Sequence, residues 1–268
     1  NIFCTIVEVI GLLIVIAAGV KFFGRADYFS INPPAGISST SALLQGGILA
    51  FYAFVGFEDL VNVAEEVKSP EKNMPRAIVT ALIVTAVIYI LTAIAAVSAV
   101  PIAELSSSRA PLALVVEKGF PGIPRGFFTL IALFAVTNTA LINFIMSSRI
   151  LYGMAKEGLV PSNLGEVHKK RGTPLKAICI VFVMAVALAF TGSLVVLAQS
   201  TSFLLLTVFL VMNLSLVVIK IRSKQYKPAF QVPVWVPVSG AVTCLTLMFY
   251  VKKEAFLTVL VLIFLGLL

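Results

Sequence analysis

The chain has 268 residues, of which 60% are Ala, Val, Ile, Leu, Met, Phe, Trp, Tyr or Cys and only 12% are charged. Soluble domains average about 45–50% apolar and about 25% charged; half the usual charge excludes an ordinary globular enzyme, and the mean hydropathy of +1.07 points to lipid as the solvent. The remaining charge is lopsided, 20 Lys and Arg against 12 Asp and Glu, which in so apolar a chain reads as basic loops on one membrane face before it reads as nucleic-acid binding.

A spanning helix needs about 20 mostly apolar residues to cross a hydrocarbon core of about 30 Å. Charge-free runs measured against that length predict an all-α integral membrane protein with eight spans. They lie near 2–20, 43–64, 77–100, 126–148, 174–192, 199–219, 234–251 and 255–268. The longest charge-free run, Ala177 to Ile219, has 43 residues and as one helix would reach about 65 Å; Thr191-Gly192-Ser193 divides it into two. Asn32-Pro33-Pro34 keeps the second span from starting earlier. The chain carries no initiator Met and ends inside an apolar run, so it reads as part of a longer protein, 1–268 forming a single transmembrane domain.

The first span carries Glu8 in NIFCTIVEVIGLLIV. With Asn1 near the surface, Glu8 sits about 10 Å deep, and an intramembrane carboxylate is a proton carrier or the partner of a buried cation unless it reaches back to the surface. The second span, LLQGGILAFYAFVGFEDLVNVA from Leu43, is unlike the others. It holds Gly46-Gly47, then Gly56, then Glu58-Asp59, and Glu58, Asn62 and Glu65 recur at helical spacing. Glycine-interrupted helices survive in membranes where they line a cavity, and a glycine break followed by carboxylates is the strongest sequence pointer to a transporter site; close helix packing is the alternative reason for glycine there. The fourth span contains Thr137, Asn138, Thr139, Asn143, Ser147 and Ser148, polar groups that either bridge helices or line a path.

Loops 65–76, 149–173 with Lys176, and 220–233 hold 13 of the 20 basic residues, which places them on the cytoplasmic side of a plasma or inner membrane. The single histidine, His168, lies in the basic segment HKKR with no serine or cysteine arranged to use it, and Glu58-Asp59 point to different helix faces, so no enzyme site is assembled. Cys4, Cys179 and Cys244 lack metal-ligand spacing and read as small packed side chains; neither metal nor cofactor is implied. No selectivity-filter segment suggests a channel.

Three stretches resemble the amino acid–polyamine–organocation family of transporters: Phe51-Tyr52-Ala53-Phe54-Val55-Gly56-Phe57-Glu58; AEEVKSPEKNMPRAI from Ala64; and SRILYGMAKEGLVP from Ser148. The resemblance implies helices five to twelve of a twelve-helix, five-plus-five inverted-repeat (LeuT-like) fold, with helices one to four missing. It implies a permease moving amino acids or related amines by alternating access, with a polyamine or cationic amino acid antiporter as the alternative and a scaffold or channel as the reading from another class. Carbonyls at the end of the first half-helix suit an ammonium group. The resemblance places the substrate amine on the backbone of Tyr52, Ala53, Phe54 and Val55, with Gly56 as the break and the Tyr52 ring as a gate. It gives Glu58 a gating or protonation role. Glu8 stands where some proton-coupled relatives carry a lysine, so H⁺ coupling or exchange is favoured over Na⁺ with a carboxylate as carrier.

Overall fold

A computed structural model describes residues 2–31, 33, 36–62, 64, 67–170, 172–190, 194–222 and 230–267. The Thr191-Gly192-Ser193 break, Asn32, Pro34, Glu65 and residues 223–229 of the third basic loop lie outside the described residues. Among those described the protein is all-α: α1 (Ile2–Val20), α2 (Ser39–Ala53), α3 (Asp59–Asn62), α4 (Pro70–Ala99), α5 (Ile102–Ser107), α6 (Pro111–Gly119), α7 (Arg125–Lys156), a 3₁₀ turn (Ser162–Gly165), α8 (Leu175–Ala189), α9 (Leu194–Arg222), α10 (Trp235–Phe249) and α11 (Lys253–Leu267).

The eight expected spans are corrected to four. Phe3–Val20, Pro70–Ala99, Gly126–Lys156 and Leu194–Arg222 are the described helices long and apolar enough to cross a membrane. Helices α2, α8, α10 and α11 have 15 residues each, about 22 Å of rise against a core of about 30 Å. The fold is therefore all-α with four long apolar spanning helices, and not eight spans of a twelve-helix LeuT-like arrangement. The physical reason is that a count of apolar residues cannot see where backbone turns end a helix. α2 stops at Ala53, well short of the expected 64, because Phe54 to Glu58 form a turn. Conversely α7 runs on through Arg149 to Lys156, and α4 begins at Pro70, a proline at the first helical position with no N–H to lose.

The chain divides into two compact units. The first comprises Asn1–Phe29 and Val84–Thr191 and the second Ser30–Ile83 and Gly192–Leu268. In the first unit α1 packs along α6 and α7, with Val15, Ala18, Ala96, Val100, Val115 and Phe128 at the core. Small residues set the spacing. A Cβ placed on Gly19 would lie 2.7 Å from Ala95 Cα, and one on Gly119 would lie 2.6 Å from Ala18 Cα, so these backbones approach as only Gly and Ala allow. In the second unit α9 packs against α2, α10 and α11. Large apolar side chains such as Ile83, Val87, Ile90, Leu133, Phe134, Val211 and Met212 point outward, which suits a lipid-facing surface better than an aqueous one.

A capped break in α2 and a paired carboxylate on α1

In the second unit the site is built on α2. Ser38 caps its start, the hydroxyl accepting the Ser41 N–H at 3.2 Å. Gly46 and Gly47 do not interrupt it; both lie inside the continuous helix, and a Cβ on Gly46 would meet nothing within 4 Å. The interruption comes ten residues later. The Phe54 N–H reaches the carbonyls of Phe51 and Tyr52, and the Val55 N–H donates to Tyr52 at 3.1 Å, tightening the last turn to 3₁₀ pitch. Gly56 then takes φ +117°, a conformation L side chains rarely adopt, and the chain changes direction.

Glu58 completes the turn. Its Oε2 accepts the Gly56 N–H at 2.9 Å, while its carbonyl accepts the Val61 N–H at 3.0 Å and starts α3. The carboxylate is thus spent on the break itself. Phe51, before the break, and Phe57, after it, both rest on Phe209 of α9, at ring-centroid distances of 6.0 and 5.5 Å. One aromatic ring therefore fixes both flanks. The Tyr52 side chain, Ala53 and Gly56 are exposed, and Phe54 and Val55 are half-buried.

Sequence reasoning missed Ser202. Its hydroxyl, fully buried on α9, donates to the Ile48 carbonyl of α2 at 3.3 Å, about two turns before Gly56. Neighbouring Ser200 donates to the Ala255 carbonyl of α11 at 3.2 Å, and Gln199 accepts the Lys252 N–H at 3.4 Å. The signal was present as the polar run Gln199-Ser200-Thr201-Ser202 inside a charge-free stretch, since buried hydroxyls and amides in a membrane are there to hold helices together.

Glu8 belongs to the other unit. Its Oε1 accepts the Nδ2 of Asn138, midway along α7, at 3.0 Å, and Asn138 is 6% exposed. Gly11, one turn beyond Glu8, lets α1 approach α7 closely enough for this bond, for a Cβ there would lie 2.7 Å from Ile131 Cγ2. Of the polar residues noted on α7, Asn138 and Ser148 are buried, whereas Thr137, Thr139, Asn143 and Ser147 are exposed. Among the described residues no three His, Cys, Asp or Glu side chains cluster as a metal site.

Compared with known families, residues 1–265 match the amino acid permease family model. The chain belongs to the amino acid permease family. The chain is accordingly part of a multi-pass membrane protein in a family of transporters rather than enzymes. It is 25% identical over 256 residues to a branched-chain amino acid permease of Bacillus subtilis, covering 95% of this chain and 54% of that protein. It is 26% identical over 262 residues to the methylthioribose transporter of the same organism, covering 97% and 55%. With the human cystine/glutamate transporter the identity is 26% over 249 residues, covering 91% and 49%. The chain spans about half the length of these relatives.

Proposed function

We propose that the permease moves amino acids or related amines across the membrane by alternating access, and that the break in α2 is its substrate-binding element. The observation that carries this reading is the α2 turn, where a helix end, Gly56 at φ +117° and the Glu58 carboxylate coincide. The carbonyl end of α2 carries the negative end of its dipole and suits an ammonium group at Tyr52, Ala53, Phe54 and Val55, with the exposed Tyr52 ring covering the substrate. The phenylalanines around the break favour an apolar or neutral side chain, in line with the branched-chain permease among the relatives.

Coupling to H⁺ rather than Na⁺ is the reading the two carboxylates support. Asn138 can serve Glu8 in both protonation states: its Nδ2 donates to the carboxylate, and its Oδ1 accepts from the acid after an amide flip. Protonating Glu58 removes the charge from the bond to Gly56 N–H and so loosens the turn that shapes the site. The test is uptake of radiolabelled leucine into proteoliposomes under an imposed pH or Na⁺ gradient. Uptake following the pH gradient, and lost in Gly56→Leu with membrane insertion intact, supports the reading; a Gly56→Leu variant transporting like the parent overturns it.

A further inference from the structure

At the end of α7 a Schellman turn closes the helix: the Gly158 N–H donates to the Ala155 carbonyl at 3.3 Å and the Leu159 N–H to the Met154 carbonyl at 2.9 Å. The chain then doubles back so that Gly165 packs on Ala155, a Cβ there lying 3.3 Å from the Ala155 Cβ. The chain turns back at His168, whose N–H donates to the Thr173 carbonyl and whose carbonyl accepts the Gly172 N–H, each at 2.9 Å. Between this turn and the end of α7 lies an open cleft of about 770 Å³ lined by Lys156, His168, Lys169 and Lys170, with Glu166 as the only carboxylate on its wall among the described residues. Glu166 is already engaged, its Oε2 accepting Lys176 Nζ at 2.7 Å. The three cleft lysines are exposed, and Lys156 Nζ stands 5.5 Å from the Tyr152 ring centroid.

We infer that this cleft binds a phosphate-bearing anion at the membrane surface. Three lysines, one from the end of α7 and two from the returning chain, share the wall of one cleft, and the neighbouring acid is neutralised by Lys176 from outside it. The 32 residues of α7 reach about 48 Å, so its end stands clear of a core of about 30 Å, at headgroup depth. An anionic phospholipid headgroup and free inorganic phosphate share the required chemistry, and basic clusters beside spanning helices recognise the former.

The experiment measures ligand retention by the full chain by native mass spectrometry after reconstitution with phosphatidylglycerol, and hydrogen exchange at 166–170 in phosphatidylcholine nanodiscs with and without millimolar inorganic phosphate. The Lys156→Gln/Lys169→Gln/Lys170→Gln variant is expected to lose affinity by about fivefold per lysine. Lys→Arg at the same positions should retain it, and Lys68→Gln/Lys72→Gln/Arg76→Gln, which removes equal charge elsewhere, should leave it unchanged. Retention of phosphatidylglycerol lost only in the cleft variant assigns the site to lipid. Phosphate protection lost only in that variant assigns it to the free anion. Equal loss in both glutamine variants, or loss in neither, overturns the site.

Discussion

The Gly56 amide donates to the Glu58 carboxylate at 2.9 Å across the turn that ends α2, so the residue that breaks the helix and the residue that carries the charge are one structural unit. Gly56→Ala meets no steric neighbour, since an added Cβ has nothing within 4 Å, but the φ of +117° imposes a strain of about 1–3 kcal/mol. The expected outcome is reduced uptake and a lowered melting temperature with insertion unchanged. Glu58→Gln keeps an oxygen to accept the Gly56 N–H, so the fold should hold while the pH dependence of transport disappears. Uptake assayed from pH 5 to 8 checks both, and an unchanged pH profile in Glu58→Gln removes Glu58 from proton handling.

The Glu8–Asn138 pair predicts a coupling energy. A hydrogen bond to a charged group contributes about 1.5–3 kcal/mol, and Asn138→Leu leaves Glu8 without its buried donor. Asn138→Leu should therefore destabilise strongly, whereas Glu8→Gln/Asn138→Leu together should recover part of the loss. A double-mutant cycle on thermal unfolding in detergent measures this. Additive effects would mean that the bond at 3.0 Å does not stabilise the pair.

Glu8 and the Gly56–Glu58 segment were legible in the sequence because charge and glycine inside an apolar run are local anomalies. Asn138 as the partner of Glu8 was not, since 130 residues separate them and only the packing of α1 on α7 joins them. Ser202 was hidden for the same reason, its acceptor being a backbone carbonyl of another helix. Gly46-Gly47 and Gly56 share one apolar run, and glycine composition alone does not distinguish a break from a tolerated helix interior; the backbone angle at Gly56 does. The number of spans was overestimated because α2, α8, α10 and α11 sit in apolar stretches longer than the helices that form in them.

The glycines separate into two kinds with opposite expectations. Gly46 lies within α2 facing open space, so Gly46→Ala should raise stability by up to about 1 kcal/mol through helix propensity. Gly19 and Gly119 stand against the backbones of Ala95 and Ala18, so Gly19→Val or Gly119→Val forces helices apart at a cost of about 1–3 kcal/mol. Melting temperatures of the three variants in one detergent decide the matter; a stabilised Gly19→Val would contradict the close approach of α1 and α4.

Glu166 carries a pH prediction. The hydrogen bond from Lys176, and next its charge, hold the Glu166 carboxyl below the ordinary carboxylate range. A carboxylate whose folded value is depressed stabilises the folded form above its unfolded value and loses that contribution as pH falls through the folded one. The tie from the 166–170 loop to the start of α8 should therefore hold at neutral pH and release only in acid, below the usual carboxylate titration. Both partners are exposed, so salt screens the pair and the effect is local rather than global. Hydrogen exchange at residues 166–170 should accelerate between pH-corrected samples at neutrality and in acid, more steeply at low ionic strength. In Glu166→Gln exchange should be fast at both and independent of salt; a parent-like acid transition in that variant would assign the release to another group.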